Sequence, residues 1–170
     1  MRAKQLSSGA LLELCEELVG VATSFGGGIV VNDRADVAKM SAAAGVHVGQ
    51  DDITPRAARS IVGPDAIVGC STHTIEQVTA ALTEPVDYIA VGPVFGTRTK
   101  ETGYDAVGLE LVSTAARVAR GMPIVGIGGI TLDNARSVLE AGASAVAVIS
   151  DLLTTGDPCA RTTAFVRALA

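Results

Sequence analysis

The sequence predicts an α/β protein in which short parallel strands alternate with helices. Short runs of β-branched and small apolar residues recur along the chain, each followed by a stretch with helical spacing. Most of these runs are apolar at every position, which is typical of parallel strands that helices cover on both faces. One βα unit takes roughly 20 to 35 residues, and this spacing suits a barrel and a doubly wound sheet equally well.

The first two predicted helices have recognisable starts or stops. Apolar residues at helical spacing over residues 11–25 predict the first helix, and Gly26-Gly27-Gly28 is its expected stop. Thr54 followed by Pro55 predicts the N-cap and the first position of another helix. Gly63 is expected to lie just past the end of that helix.

A further helix and six strands complete the predicted elements. Thr131 precedes a helical pattern over residues 132–141, and Gly142 is the expected stop. The apolar runs predict strands at residues 29–31, 46–48, 66–68, 88–91, 124–127 and 145–149.

Composition predicts one soluble domain over residues 1–170, located in the cytoplasm. Of the 170 residues 48% are hydrophobic, which suffices for a single core. No run approaches the roughly 18 apolar residues of a membrane span, and Glu13, Glu16 and Glu17 interrupt any signal peptide. A net charge of −5 without tryptophan or a basic run argues against a nucleic-acid partner. The three distant cysteines argue against a disulfide framework and a zinc cluster.

Four polar or glycine-rich stretches follow apolar runs and precede helical segments. They are Asn32-Asp33, Gln50-Asp51-Asp52, residues 97–100 (Thr-Arg-Thr-Lys) and residues 126–129 (Gly-Ile-Gly-Gly). In a βα repeat these stretches gather where the parallel strands end. Two carboxylates can hold a divalent cation, a lysine can neutralise an anion, and glycines at a helix start can offer N–H groups to a phosphate.

Each of these residues has a simpler interpretation when it is taken alone. Asp33 and Asp52 would then cap helices or be solvated, because aspartate is favoured at helix starts. His47 lies within a predicted strand and is expected to be a structural histidine with satisfied hydrogen bonds. His73 is nearer in sequence to Ser71, but a Ser-His hydrolase would also need an orienting acid and an oxyanion hole, which the sequence does not assign.

The order of the motifs decides between the two folds. Six stretches occur in an order that closely resembles the thiamine phosphate synthase family: residues 32–34, 45–52, 69–74, 91–100, 126–130 and 148–150. The resemblance extends from Arg2 almost to the C-terminus. It implies a (β/α)8 barrel that joins a hydroxymethylpyrimidine diphosphate to a thiazole phosphate and releases pyrophosphate, with Mg²⁺ as cofactor. The sequence does not set the oligomeric state, and a homo-oligomer is compatible with it.

The resemblance also implies roles for individual residues. Asp33 and Asp52 match the magnesium ligands. The residues that match the pyrimidine-diphosphate site are Arg2, Lys4, Asn32, Ser71 and Lys100, of which all but Asn32 are expected to act in catalysis. The residues that match the thiazole-phosphate site are Thr97, Arg98, Thr99, Gly129, Ile149 and Ser150.

One departure from the family pattern concerns the start of the chain. Met1 stands where the family has a glutamine, so the barrel is expected to lack its first βα unit and most of its second strand. A barrel closes only with a consistent strand number and stagger. We therefore expect the chain alone to be inactive or poorly folded unless upstream residues are restored.

Two other functions are compatible with the sequence. A thiazole tautomerase on the same fold would handle the thiazole phosphate, but it would not need the two magnesium carboxylates. The presence of Asn32-Asp33, Asp52 and Lys100 favours the synthase. An inactive remnant that at most binds phosphate is favoured only by the short N-terminus.

Overall fold

The structure is a computed structural model that describes residues 1–96 and 105–170. The chain divides into two compact units, one formed by Met1–Ser71 with Thr83–Asp87 and the other by Thr72–Leu82 with Tyr88–Ala170. Among the described residues, no helix has the length and apolar character needed to cross a membrane. The single domain expected over residues 1–170 stays a prediction.

The first unit is built from three helices and three parallel strands. Strand β1 pairs with β2, where Val31 lies opposite Val46, and β2 pairs with β3, where Val48 lies opposite Cys70. The elements are α1 (Ser8–Ser24), β1 (Val30–Asn32), α2 (Ala35–Met40), β2 (Gly45–Val48), α3 (Pro55–Val62) and β3 (Ile67–Thr72), the last residue of which belongs to the second unit. The three strands predicted in this part of the chain are present, but β3 extends four residues past its predicted end at residue 68.

Helix α3 begins and ends as its sequence predicts, whereas α1 begins at Ser8, three residues before the predicted pattern, and ends at Ser24, ahead of its predicted glycine stop. Ser7 Oγ accepts from the Ala10 N–H at the start of α1. Thr54 caps α3 in the same way, with Pro55 as its first residue. Gly63 follows α3 with a φ of 94°, a left-handed conformation that a side chain would disfavour.

The segment before α1 runs beside β1. The Met1 amino group donates to the Val30 carbonyl, and the Asn32 N–H donates to the Met1 carbonyl over 2.9 Å. This is the hydrogen-bond pattern of neighbouring parallel strands. Arg2 and Lys4 therefore follow a strand-like residue at the end of the unit where β1 finishes.

The second unit contains the remaining strands, which are also parallel. Ile89 of β4 lies opposite Ile124 of β5, and Val125 lies opposite Ala145 of β6. The elements are α4 (Ile75–Ala81), β4 (Tyr88–Val91), α5 (Gly108–Ala119), β5 (Ile124–Ile127), α6 (Ala135–Glu140), β6 (Ala145–Ala147), α7 (Ser150–Leu153) and α8 (Pro158–Leu169). The three strands predicted here are confirmed, although β6 ends two residues earlier than expected.

The helix predicted over residues 132–141 is shorter than the sequence indicates, because α6 begins only at Ala135. Asn134 accounts for the difference. Its Oδ1 accepts from the Thr131 N–H over 2.8 Å, and its Nδ2 donates to the Gly129 carbonyl over 3.1 Å. Asparagine that bonds to nearby backbone in this way stabilises a turn in competition with the helix.

Candidate active site

Two aspartates face each other where β1 and β2 end. Asp33 directly follows β1 with a φ of 67°, a left-handed conformation that aspartate tolerates better than most residues. Asp52 lies in the loop after β2, where the Gly49 N–H donates to its Oδ2 over 2.8 Å. The side chains of Asp33 and Asp52 are within hydrogen-bonding distance of each other. Lys4 Nζ lies 2.9 Å from Asp33 Oδ2, so one cation accompanies the pair.

The two carboxyl groups perturb one another. Partial burial of its carboxyl raises the pKa of Asp52 above the ordinary value of 3.8, and the hydrogen bond and charge of Asp33 raise it further. The Gly49 N–H and the charge of Lys4 act in the opposite direction but do not cancel these effects. The pair therefore resists carrying two negative charges unless further positive charge is brought to it.

The donor set of this pair fits magnesium. Carboxylate oxygens suit Mg²⁺, which commonly binds through one or two carboxylates and keeps water or substrate phosphate as its other ligands. A cage of three or more histidine, cysteine or acidic side chains is absent from residues 1–96 and 105–170. Asp33 and Asp52 thus fit a cation that is shared with an anionic ligand, rather than one enclosed by protein.

Ser71, near the end of β3, is held by two side chains from the β2 segment. Its Oγ lies 2.7 Å from His47 Nε2, and its carbonyl accepts from Gln50 Nε2 over 2.6 Å. The serine thus contacts His47, whereas the ring of His73 bonds to the Gly92 carbonyl in the second unit. The structure thus shows a hydrogen-bond partner for Nε2 of His47.

Cys70 adds no reactive group beside Ser71. Burial raises the pKa of the Cys70 thiol to about 11, and the charge of Glu84 contributes less to the same shift. The thiol therefore stays protonated at neutral pH and behaves as a small apolar side chain.

The first unit brings together several residues that the family resemblance assigns to the pyrimidine diphosphate. Asn32 is the last residue of β1 and is half-buried. Arg2 and Lys4 are exposed and follow the residue that pairs with β1. Together with Ser71, they place amide, hydroxyl and cationic groups at the strand ends where Asp33 lies.

The second unit places the other assigned residues after its last two strands. Gly129 follows β5, while Ile149 and Ser150 follow β6. Because β5 and β6 are parallel neighbours, these residues lie at the same edge of the sheet. Thr97, Arg98, Thr99 and Lys100 lie outside the described residues.

Backbone geometry requires glycine at position 129. Its φ is 64°, and a Cβ there would lie 2.7 Å from the Gly96 carbonyl oxygen and 2.8 Å from Phe95 Cβ. We expect Gly129→Ala to lower the free energy of unfolding by roughly 1–3 kcal/mol, because the new methyl group strains the turn and meets backbone. Urea unfolding of the variant and the wild type measures this loss.

Gly156 offers the matched control. It has a similar positive φ, of 76°, but a Cβ there would meet no atom within 4 Å. Gly156→Ala should therefore lose only the part of the stability that comes from φ. Equal losses in the two variants would show that close packing does not select glycine at position 129.

Residues that sequence reasoning did not assign also lie in these sites. Gln50 belongs to a noted motif and holds Ser71, while Asn134 fixes the turn at Gly129. The only sequence signals for them are a polar side chain directly after an apolar run and an asparagine near a predicted helix start.

Both units place polar groups where parallel strands end, which defines an α/β protein of the class that binds small ligands at that edge. Carboxylates and a lysine lie in the first unit, and in the second a glycine turn follows β5 and Ser150 follows β6. The chain belongs to the thiamine monophosphate synthase family, whose model matches residues 1–152. The family that the motifs resemble is therefore confirmed.

Individual relatives agree with this assignment. A thiamine-phosphate synthase of Koribacter versatilis is 48% identical over 83% of this chain, and one of Acidothermus cellulolyticus is 42% identical over all of it. The chain spans 65% of the first relative and 80% of the second. The solved thiamine phosphate pyrophosphorylase from Pyrococcus furiosus is 31% identical, with a TM-score of 0.91 over 99% of this chain and 80% of that one. The α/β fold with parallel strands is thus confirmed.

Proposed function

We propose that this chain is a thiamine-phosphate synthase. It would join 4-amino-2-methyl-5-(diphosphooxymethyl)pyrimidine to 4-methyl-5-(2-phosphooxyethyl)thiazole, giving thiamine phosphate and pyrophosphate. The observation that carries the proposal is the facing pair Asp33 and Asp52 with Lys4 beside it, in a chain that belongs to this family. A tautomerase of the thiazole phosphate alone would have no use for such a pair.

The reaction makes two electrostatic demands. When the carbon–oxygen bond to the diphosphate breaks, the pyrimidine methylene becomes cationic and the departing oxygens gain negative charge. The thiazole nitrogen attacks this methylene with its own lone pair, so no protein base has to remove a proton. Catalysis by this chain is therefore mainly the positioning of two substrates and the stabilisation of charge.

The first unit would bind the pyrimidine diphosphate. Asp33 and Asp52 would hold magnesium, which when bound neutralises the diphosphate and stabilises the leaving pyrophosphate. Arg2, Lys4 and Lys100 would neutralise the remaining charge, and Asn32 and Ser71 would hydrogen-bond the substrate. The raised pKa of Asp52 supports the metal assignment, because a cation would relieve the repulsion that contributes to it.

The second unit would bind the thiazole phosphate. Gly129, Ile149 and Ser150 follow neighbouring strands, and the glycine lets backbone approach a ligand closely. Thr97, Arg98 and Thr99 would complete this site with hydroxyl groups and one positive charge. We further propose that the six strands belong to a (β/α)8 barrel, that the protein acts in the cytoplasm, and that homo-oligomers can form.

The test is a synthase assay, with both substrates and Mg²⁺, of the purified chain and of the chain with its upstream residues restored, the form in which we expect activity. We expect thiamine phosphate and pyrophosphate to appear in equal amounts, with thiamine phosphate measured by fluorescence after oxidation to its thiochrome. Omitting either substrate, or removing the metal with a chelator, should stop both signals. If the form with restored upstream residues is folded but makes neither product with both substrates and Mg²⁺, the proposal is contradicted.

A further inference from the structure

A buried acid lies next to the second-unit site and has no role in the assignments above. Asp151 is the only acidic residue that is buried among residues 1–96 and 105–170, with 8% of its surface exposed. It directly follows Ser150 within α7. Burying a carboxylate is unfavourable unless hydrogen bonds and an opposite charge compensate for it, so its partners indicate what it does.

One oxygen of Asp151 joins three segments of the second unit. Its Oδ2 accepts from the Leu132 N–H over 3.1 Å, three residues beyond Gly129. The same oxygen accepts from Arg161 on α8, over 3.0 Å from Nε and 2.8 Å from Nη2. The loop after β5, the start of α7 and α8 therefore meet at this atom.

Arg161 neutralises the carboxylate of Asp151, which lies next to the proposed phosphate site. A bare carboxylate next to Ser150 would repel a bound phosphate, whereas the guanidinium neutralises it locally. Arg161 is itself held in place, since its side chain is only 22% exposed and its guanidinium carbon lies 5.8 Å from the centre of the Phe165 ring. The pair can thus fix backbone without presenting net negative charge.

Asn134 also bonds to the loop after β5, but its partners differ from those of Asp151. Asn134 bonds to Gly129 and Thr131, which belong to its own loop, so it sets the shape of the turn. The carboxylate of Asp151 instead bonds this loop to α7. Of these two side chains, Asp151 is the one that links the loop after β5 to the helix that begins at Ser150.

We propose that Asp151, neutralised by Arg161, is a positioning residue for the thiazole phosphate. It holds the loop after β5 against the start of α7, so that Gly129 and Ile149-Ser150 keep the spacing that one phosphate requires. The inference rests on the proposed function, which places the thiazole phosphate between these segments. It assigns Asp151 no contact with the substrate.

The test compares Asp151→Ala with a control at the opposite strand ends. Asp87 Oδ2 likewise accepts a backbone N–H, from Val68 over 2.7 Å, and an arginine, Arg59 Nη2 over 2.6 Å, but it lies just before β4. We expect Asp151→Ala to raise KM for the thiazole phosphate about tenfold or more, because small misplacements of binding groups are costly. KM for the pyrimidine diphosphate should stay within about twofold of wild type. Asp87→Ala should lower Tm and leave both KM values unchanged.

Two further variants separate positioning from folding. Asp151→Asn keeps an oxygen that can accept from the Leu132 N–H, so it should restore most of the affinity for the thiazole phosphate. Arg161→Met leaves the carboxylate of Asp151 without its neutralising charge and should raise KM for the thiazole phosphate. This variant tests the inference independently, should Asp151→Ala fail to fold. Calorimetric titration with the thiazole phosphate provides the same comparison without turnover.

The outcomes distinguish this inference from the proposed function. If the wild-type protein binds the thiazole phosphate but forms no product, the synthase proposal is contradicted. The inference about Asp151 can still be tested in that case, because the affinities of the variants for the thiazole phosphate can be measured without turnover. The inference is overturned if Asp151→Ala shifts both KM values equally, or if it behaves like Asp87→Ala. It is also overturned if Arg161→Met leaves the affinity for the thiazole phosphate unchanged.

Discussion

Asp52→Asn is expected to remove most of the magnesium-dependent turnover while the protein stays as stable as wild type, or becomes more stable, without metal. We expect kcat to fall by about 10²-fold or more, since Asp52 is one of the two carboxylates that we propose hold the cation. Asparagine can still accept from the Gly49 N–H, and it ends the repulsion with Asp33. Steady-state rates over a magnesium series and melting curves with and without Mg²⁺ measure the two effects.

The stability gain should depend on pH in one direction. The pKa of Asp52 is raised in the folded state. The residue therefore contributes favourably to the free energy of unfolding at low pH, and this contribution is lost as pH rises through that pKa. The advantage of asparagine in Tm should therefore be larger near about pH 7 than near about pH 3. Asp51→Asn, at the neighbouring and likewise exposed position, is the control and should leave rates and Tm close to wild type. Wild-type rates with an unchanged magnesium requirement in Asp52→Asn would show that this residue is not a ligand.

The strands were predictable because burial on both faces leaves a local signal. Each strand of a covered parallel sheet must be apolar at successive positions, as residues 88–91 and 124–127 are, and the structure has β4 and β5 at these bounds. Helix ends with a strong local cap, such as Thr54 and Gly63, were also predictable. The start of α6 was not, because Asn134 bonds to a loop whose course depends on the rest of the second unit.

Only those residues of the candidate site that belong to recognisable sequence motifs could be predicted. Asp33 and Asp52 were expected to meet because both follow strands of one sheet, and the structure brings them together. The contact between His47 and Ser71 joins residues 24 positions apart, and no local pattern indicates it. Asp151 looks like an ordinary helix-start acid in the sequence, and only the folded unit shows that it is buried against Arg161.

The second large effect is expected at Lys100, which lies outside the described residues. If it neutralises the diphosphate, its charge is worth most when the pyrophosphate leaves, because the departing oxygens are then most negative. We expect Lys100→Ala to lower kcat by roughly 10²-fold or more, with a smaller change in KM for the thiazole phosphate. Lys100→Arg keeps the charge with a different shape and should recover part of the rate. Single-turnover measurements with both substrates saturating report the chemical step directly.

Lys39→Ala is the matched control for the loss of one lysine charge. Lys39 is exposed on α2 and donates to the Val62 carbonyl at the end of α3, so its loss should lower stability slightly and leave the chemical step unchanged. A Lys100→Ala protein that is altered only in KM for the thiazole phosphate would place this lysine in the other substrate's site. The leaving pyrophosphate would then have to be stabilised by the cation that we propose at Asp33 and Asp52 and by Arg2 and Lys4. Substitutions at those positions should then lower kcat by about 10²-fold.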